Sequence, residues 1–195
     1  MLKKIIGARL KEKGIAVLAI LLLLALLLPL LRLAIYACPW YDDYLFLNNT
    51  RLYLQEEGGM AGFFHGVWAT VITWWYTWQG SFSSIFFMAV NPFVFGEQYY
   101  FLGIIGILLF AASSIFFLAV TLCRYVLKAD FSNSCICAAV VTATLIELIY
   151  TAQEGIYYYN AAAHYTLMHG FMLYMMAWGV KLLYDKTKKR ILWGK

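Results

Sequence analysis

Two carboxylates stand side by side, Asp42 and Asp43, in the stretch CPWYDDYLF at residues 38–46 of a chain with ten acidic residues in all. Neighbouring carboxylates repel. One of the pair therefore holds its proton more tightly and moves toward the range of a general base, unless a cation beside them relieves the repulsion. Such a pair can deprotonate a hydroxyl or hold a divalent metal such as Mg or Mn. A plainer role is also open, because carboxylates in the first turn of a helix are favoured by its dipole and its free amides. What sets this pair apart is the polar company elsewhere in the chain. Glu154, Tyr157, Tyr158, Tyr159, Asn160 and His164 cluster in QEGIYYYNAAAHYTL at residues 153–167, and Trp68, Trp74, Trp75, Tyr76 and Trp78 offer aromatic platforms between the two stretches.

Composition decides what must position these residues. The chain is 64% hydrophobic and 13% charged, with a mean hydropathy of +0.73, against about 45–50% apolar and about 25% charged in soluble domains. The expectation is an all-α integral membrane protein, a polytopic helical bundle forming a single membrane domain over residues 1–195. A crossing takes about 20 predominantly apolar residues. Four stretches qualify: residues 15–37, 98–123, 131–153 and 164–184. Between the first two lies an external loop, 38–97, and between the last two a shorter one, 154–163. Basic tails at 1–14 and 185–195 flank the whole.

Orientation follows from charge. Lysine and arginine concentrate on the cytoplasmic side of a membrane, and thirteen of the fifteen basic residues here fall in the two tails, at their boundaries, or in the 124–130 connection. Both termini are thus expected in the cytoplasm and the carboxylate pair outside, as in a bacterial inner membrane. The net charge of +5 suits anionic lipid, and no nucleic-acid partner is expected. The first span could instead be a signal peptide ending near AIYAC, but its uncharged core, Ile15 to Leu31, is longer than the about 7–15 residues of a signal core. Of Cys38, Cys123, Cys135 and Cys137 only one is expected outside the inner half of the membrane, so neither a disulfide framework nor a metal site is expected and they read as small apolar residues.

The loop is not a plain connection. DYLFLNNTRLYLQEE at 43–57 reads as a short amphipathic helix, and 58–96, tryptophan-rich and interrupted at QGS and NP, as one or two helices at the outer interface. GFFHG at 62–66 reads as a hinge-like turn. Arg32 snorkels to the headgroups or pairs with the aspartates. Glu147, within an apolar stretch, calls for local hydration or a partner on a facing helix. His164 and His169 are on different faces of a helix and make a poor metal pair. No Walker loop, dinucleotide fingerprint or Ser/Cys triad pattern is present.

YDDYLF, then YTWQGSFSS at 76–84, then QEGIYYYNAAAHYTL, in that order and with the pair opening a long external loop after the first span, resembles the GT-C superfamily of integral-membrane glycosyltransferases, in particular an uncharacterised bacterial branch. The resemblance covers Asp42 to about Tyr174. It implies transfer of a sugar from a polyprenyl-phosphate donor to a cell-envelope acceptor on the outer face, with inversion. Carried onto this chain, it makes Asp43 the base and Asp42 its helper or the ligand of a divalent cation. Glu154 becomes a second acidic contact, Trp75 and Trp78 stack on a sugar face, and Tyr158, Asn160 and His164 bond its hydroxyls. Arg51 or His164 faces the donor phosphate. Ser81 stands where the pattern has an arginine, and members usually carry more spans, so the chain reads as an N-terminal module or truncated member. A second membrane chain or another copy would complete it. The alternative is a non-catalytic membrane subunit, a transporter or flippase component or an envelope assembly factor.

Overall fold

The computed structural model describes residues 2–78 and 80–193, with side chains described from Leu10 to Tyr184 apart from Gln79. The lysines of both tails beyond those limits, and Gln79 of the WQGSF element, lie outside the described side chains. Every regular element among the described residues is helical, as the composition led one to expect: α1 (Leu2–Ala34), α2 (Tyr41–Glu57), α3 (Gly59–Thr77), α4 (Phe82–Ala89), α5 (Tyr100–Thr121), α6 (Phe131–Glu147), the single turn α7 (Tyr159–Ala161) and α8 (Met168–Trp193). Tight 3-10 turns at Pro92–Phe95 and Glu97–Tyr99 lead into α5. Wide turns occupy Leu122–Val126, Gln153–Tyr157 and Ala162–Leu167.

Two of the four expected crossings meet the requirement of length and apolarity among the described residues. They are Leu10–Ala34, of 25 residues, and Glu97–Val126, of 30. Little of α1 is covered by the rest of the chain: Leu18, Leu21 and Leu22 are each 56% exposed. The other two expected spans fall short for separate reasons. α6 has 17 residues, about 26 Å at 1.5 Å per residue against a hydrocarbon core of about 30 Å. It stops at Glu147, and Tyr150 beyond it is 97% exposed. The last stretch enters through α7 and the wide turn at Ala162–Leu167, so the regular helix α8 begins only at Met168 and meets Lys181 before it has run a full apolar span.

The chain divides into two compact units. One comprises Met1–Leu30, Phe110–Ile149 and His169–Lys195; the other Leu31–Leu109 and Tyr150–Met168. In the first, α5 and α8 meet along an aromatic seam, where Phe110 packs on Phe171 and Tyr174, Phe117 on Tyr174 and Trp178, and the Tyr174 hydroxyl donates to Ser113 Oγ at 2.8 Å. Gly170 faces the Phe110 ring at that seam.

The second unit is made from the expected external loop and the tyrosine-rich stretch, and it has a core of its own. Leu47, Val67, Val71, Ile85, Phe93, Ile104 and Ile156 are buried there. The amphipathic helix expected at 43–57 is α2, and α3 and α4 are the helices expected within 58–96. Thr50 Oγ1 donates to the Ala89 carbonyl at 3.3 Å and ties α2 to α4. GFFHG is not a hinge but a continuous part of α3. The turn comes before it, at Gly58 and Gly59, whose φ angles of +71° and +60° suit glycine. Gly62 and Gly66, one helical turn apart, then press α3 onto the backbone of α2. A Cβ at Gly66 would collide with Thr50 Cα and lie 2.7 Å from the Asn49 carbonyl oxygen. This is the close approach that a small-xxx-small spacing permits. Gly66→Ala is accordingly expected to destabilise the protein by about 1–3 kcal/mol, whereas Gly106→Ala on α5, with nothing within 4 Å of the new methyl, should be neutral or slightly stabilising. Thermal unfolding of the two variants in detergent checks this.

Candidate functional site

The carboxylate pair opens α2, and consecutive residues on a helix point about 100° apart. That rotation separates the two acids. Asp43, three residues into the helix, turns inward and is fully buried, while Asp42 stays partly exposed. Asp43 Oδ2 reaches back to accept the Trp40 backbone N–H at 2.8 Å, closing the first turn of α2, and accepts the Tyr100 hydroxyl from α5 at 2.8 Å. Its Oδ1 accepts the Asn160 backbone N–H from α7 at 3.2 Å and the Asn91 side-chain amide at 3.5 Å. Asn91 is itself fixed, because its Oδ1 caps the 3-10 turn by accepting Phe93 N–H at 3.0 Å. Tyr100 is held from the other side by the Tyr159 backbone N–H, which donates to its hydroxyl at 2.9 Å. Burial pushes the Asp43 carboxyl up to about 6; the bonds from Trp40, Tyr100 and Asn160 pull it down, and the Asp42 charge adds to the rise.

Asp42 faces a different environment. Its Oδ2 accepts the Tyr158 hydroxyl at 2.7 Å, joining α2 to a residue far along the chain. Burial, and then the bond to Asp42, raise the Tyr158 phenol above its ordinary range, so it remains a donor. These two side chains lie on a cavity of about 330 Å³ whose walls also include Glu154, Asn160, His164, Phe46, Trp78 and Met88. The volume is at the lower end of the roughly 300–1,000 Å³ of small-molecule sites. The apolar wall is built from packed rings: Phe46 stacks on Trp74 at 4.5 Å and meets Trp78 edge-on at 5.9 Å. A neighbouring hollow of about 400 Å³, bordered by Tyr36, Cys38, Trp40, Gln153 and Tyr157, shares Glu154 and Tyr158 with the cavity. A larger hollow of about 600 Å³ between α1 and α6, in the other unit, contains none of the candidate residues.

Six of the residues singled out in the sequence thus meet on one cavity: Asp42, Glu154, Trp78, Tyr158, Asn160 and His164. Asp43 lies behind it, bonded to the backbone of Asn160. Two others are placed elsewhere. The Arg51 guanidinium lies 4.2 Å from the centre of the Phe93 ring and donates through Nη2 to the Phe93 carbonyl at 3.4 Å, so it does not face the cavity as a phosphate partner would. Trp75 is half exposed, with its ring edge against Gly80. The sequence reading passed over Tyr100 and Asn91, which complete the ring of donors around Asp43. Their signal is a polar residue inside a long uncharged run, at the QYY and NP breaks.

A divalent metal does not fit the pair. Both oxygens of Asp43 are occupied by donors, and among the described residues no three of His, Cys, Asp and Glu converge to hold an ion. No family model matches this chain, and neither a curated protein nor a solved structure does.

The raised carboxyl has a consequence for stability. In the folded state Asp43 takes up its proton near pH 6, against 3.8 ordinarily, so between those values the folded protein binds more protons than the unfolded chain. Its contribution is greatest below about pH 4 and is lost as pH rises through 6, by about 3 kcal/mol in all. A fall in unfolding midpoint across that window, absent in Asp43→Asn, is the expected result of titrating both proteins.

Proposed function

We propose that this chain is a GT-C-like membrane glycosyltransferase, or a module of one, that moves a sugar from a polyprenyl-phosphate donor to a cell-envelope acceptor on the outer face of the membrane. The observation that carries the reading is the Asp42 carboxylate, aimed by the Tyr158 hydroxyl at 2.7 Å, on a cavity whose remaining walls are an acid, an amide, an imidazole and an aromatic face. Carboxylates and amides that bond hydroxyls, next to flat rings that cover C–H faces, are what a sugar requires. The excess of basic residues in the two tails and the 124–130 connection supports cytoplasmic termini, which puts the cavity outside. The uncovered leucines of α1 leave a surface for lipid or for a second membrane chain.

The roles are divided differently from the sequence expectation. Asp42 is the base: it takes the proton of the acceptor hydroxyl as that oxygen bonds to the anomeric carbon, and the bond from the anomeric carbon to the phosphate oxygen breaks, releasing polyprenyl phosphate. Tyr158 positions the carboxylate through one oxygen and leaves the other free. Asp43 positions both, because it holds the start of α2 and the backbone of α7. Trp78 and Phe46 take the sugar face. The adjoining hollow, sharing Glu154 and Tyr158, gives the second substrate a place beside the first.

A second reading has an observation of its own. Among the described residues no lysine or arginine lines the cavity, and burial disfavours the charged form of His164 there, which leaves a departing phosphate without a cation from these walls. That favours a subunit that binds a sugar and does not transfer it. The two readings part in one assay. With purified protein in liposomes, a polyprenyl-phosphate sugar and acceptor, Asp42→Asn is expected to lower transfer by about a hundredfold or more, the range of a general base, with membrane insertion and sugar binding unchanged. Transfer that survives in Asp42→Asn removes the mechanism; sugar binding without transfer in the parent protein establishes the second reading.

A further inference from the structure

We infer that the cavity recognises two neighbouring hydroxyls of a sugar ring, a 1,2-diol, through the side-chain amide of Asn160. The inference rests on the reading of the cavity as a sugar site and specifies what that sugar must present. Asn160 is 2% exposed, and neither its Nδ2 nor its Oδ1 has a hydrogen-bond partner among the described residues; the Nδ1 of His164 is buried in the same condition. Both residues line the cavity. Buried polar atoms are nearly always paired, and the Asn160 backbone is held at the cavity wall by its N–H, which donates to Asp43.

The amide therefore calls for an occupant with a matching pattern. It offers a donor and an acceptor side by side in one plane. Adjacent hydroxyls answer both, one donating to Oδ1 while the other accepts from Nδ2. A lone hydroxyl leaves half of the amide unpaired. An anionic group is repelled by Asp42 and Glu154, with no lysine or arginine on the wall among the described residues to offset them. With the diol on Asn160, the ring's C–H face lies toward Phe46 and Trp78, and His164 Nδ1 is left for a further hydroxyl.

The test uses the full chain in lipid nanodiscs and measures binding of methyl α-glucopyranoside, its galactose- and mannose-configured counterparts, and the monodeoxy analogues of whichever binds best. Removing either member of one adjacent hydroxyl pair is expected to weaken binding by at least about tenfold, and removing any other hydroxyl by less than about threefold. Asn160→Ala, which gives up none of the protein's own hydrogen bonds, should bind parent and deoxy sugars alike. If the parent glycosides bind but every deoxy analogue binds within about threefold of them, the diol inference falls and the sugar site stands. If no glycoside binds, both fall. The analogue series on the unaltered protein decides the matter even if the variant does not fold.

Discussion

A carboxylate removed from water sets the terms for this molecule. Isolating a charge in a protein interior costs several kcal/mol after relaxation, and Asp43 offsets that cost with four donors drawn from four separate places: the start of α2, the Asn91 break, the start of α5 and the backbone of α7. None of the four can be moved alone. Replacing a donor leaves the carboxylate short of a partner, the expensive condition for a buried polar group. The second unit is accordingly organised around one side chain as much as around its apolar core.

The arrangement also explains how two adjacent aspartates come to do different work. With Asp43 pinned inward, the helical rotation of one residue directs Asp42 outward onto the cavity, where Tyr158 secures it. The same α7 backbone that donates to Asp43 carries Asn160 and is preceded directly by Tyr158. Structure and site are thus referred to a common point, and an error in one is passed to the other. The aromatic wall is fixed independently. Close packing of α3 on α2 across Gly62 and Gly66 leaves Trp74 stacked on Phe46, and Trp78 then leans on both.

Much of this was legible in the sequence, and what was not has identifiable causes. The helical class, the amphipathic α2, the helices within 58–96 and the convergence of the acidic pair with the tyrosine-rich stretch could all be read from hydropathy, period and placement. Which aspartate is buried could not, because adjacent positions are equivalent until the facing elements are known. The resemblance made Arg51 a partner for the donor phosphate; Phe93, which takes its guanidinium by ring and carbonyl, is distant in sequence. Span counting finds no support from helix length and apolarity at α6 and α8, since an uncharged run records solubility in lipid but not where the helix stops. α6 ends at Glu147, and the last stretch is helical but winds wide over Ala162–Leu167 and meets Lys181 soon after α8 begins.

The reach of the Asn160 contact to Asp43, across 117 positions, bears on how the protein comes to be made. Residues 110–149 belong to the other unit and are synthesised before α7 exists. Throughout that interval the emerging second unit holds an acid that still lacks one of its donors, and a Tyr100 hydroxyl not yet met by Tyr159. Closure of this unit is therefore a late event in biosynthesis, governed by the arrival of a distant segment and not by local helix formation. Until then the nascent chain must keep that pole hydrated or protonated, which sets a natural order in which the helices of this unit come together.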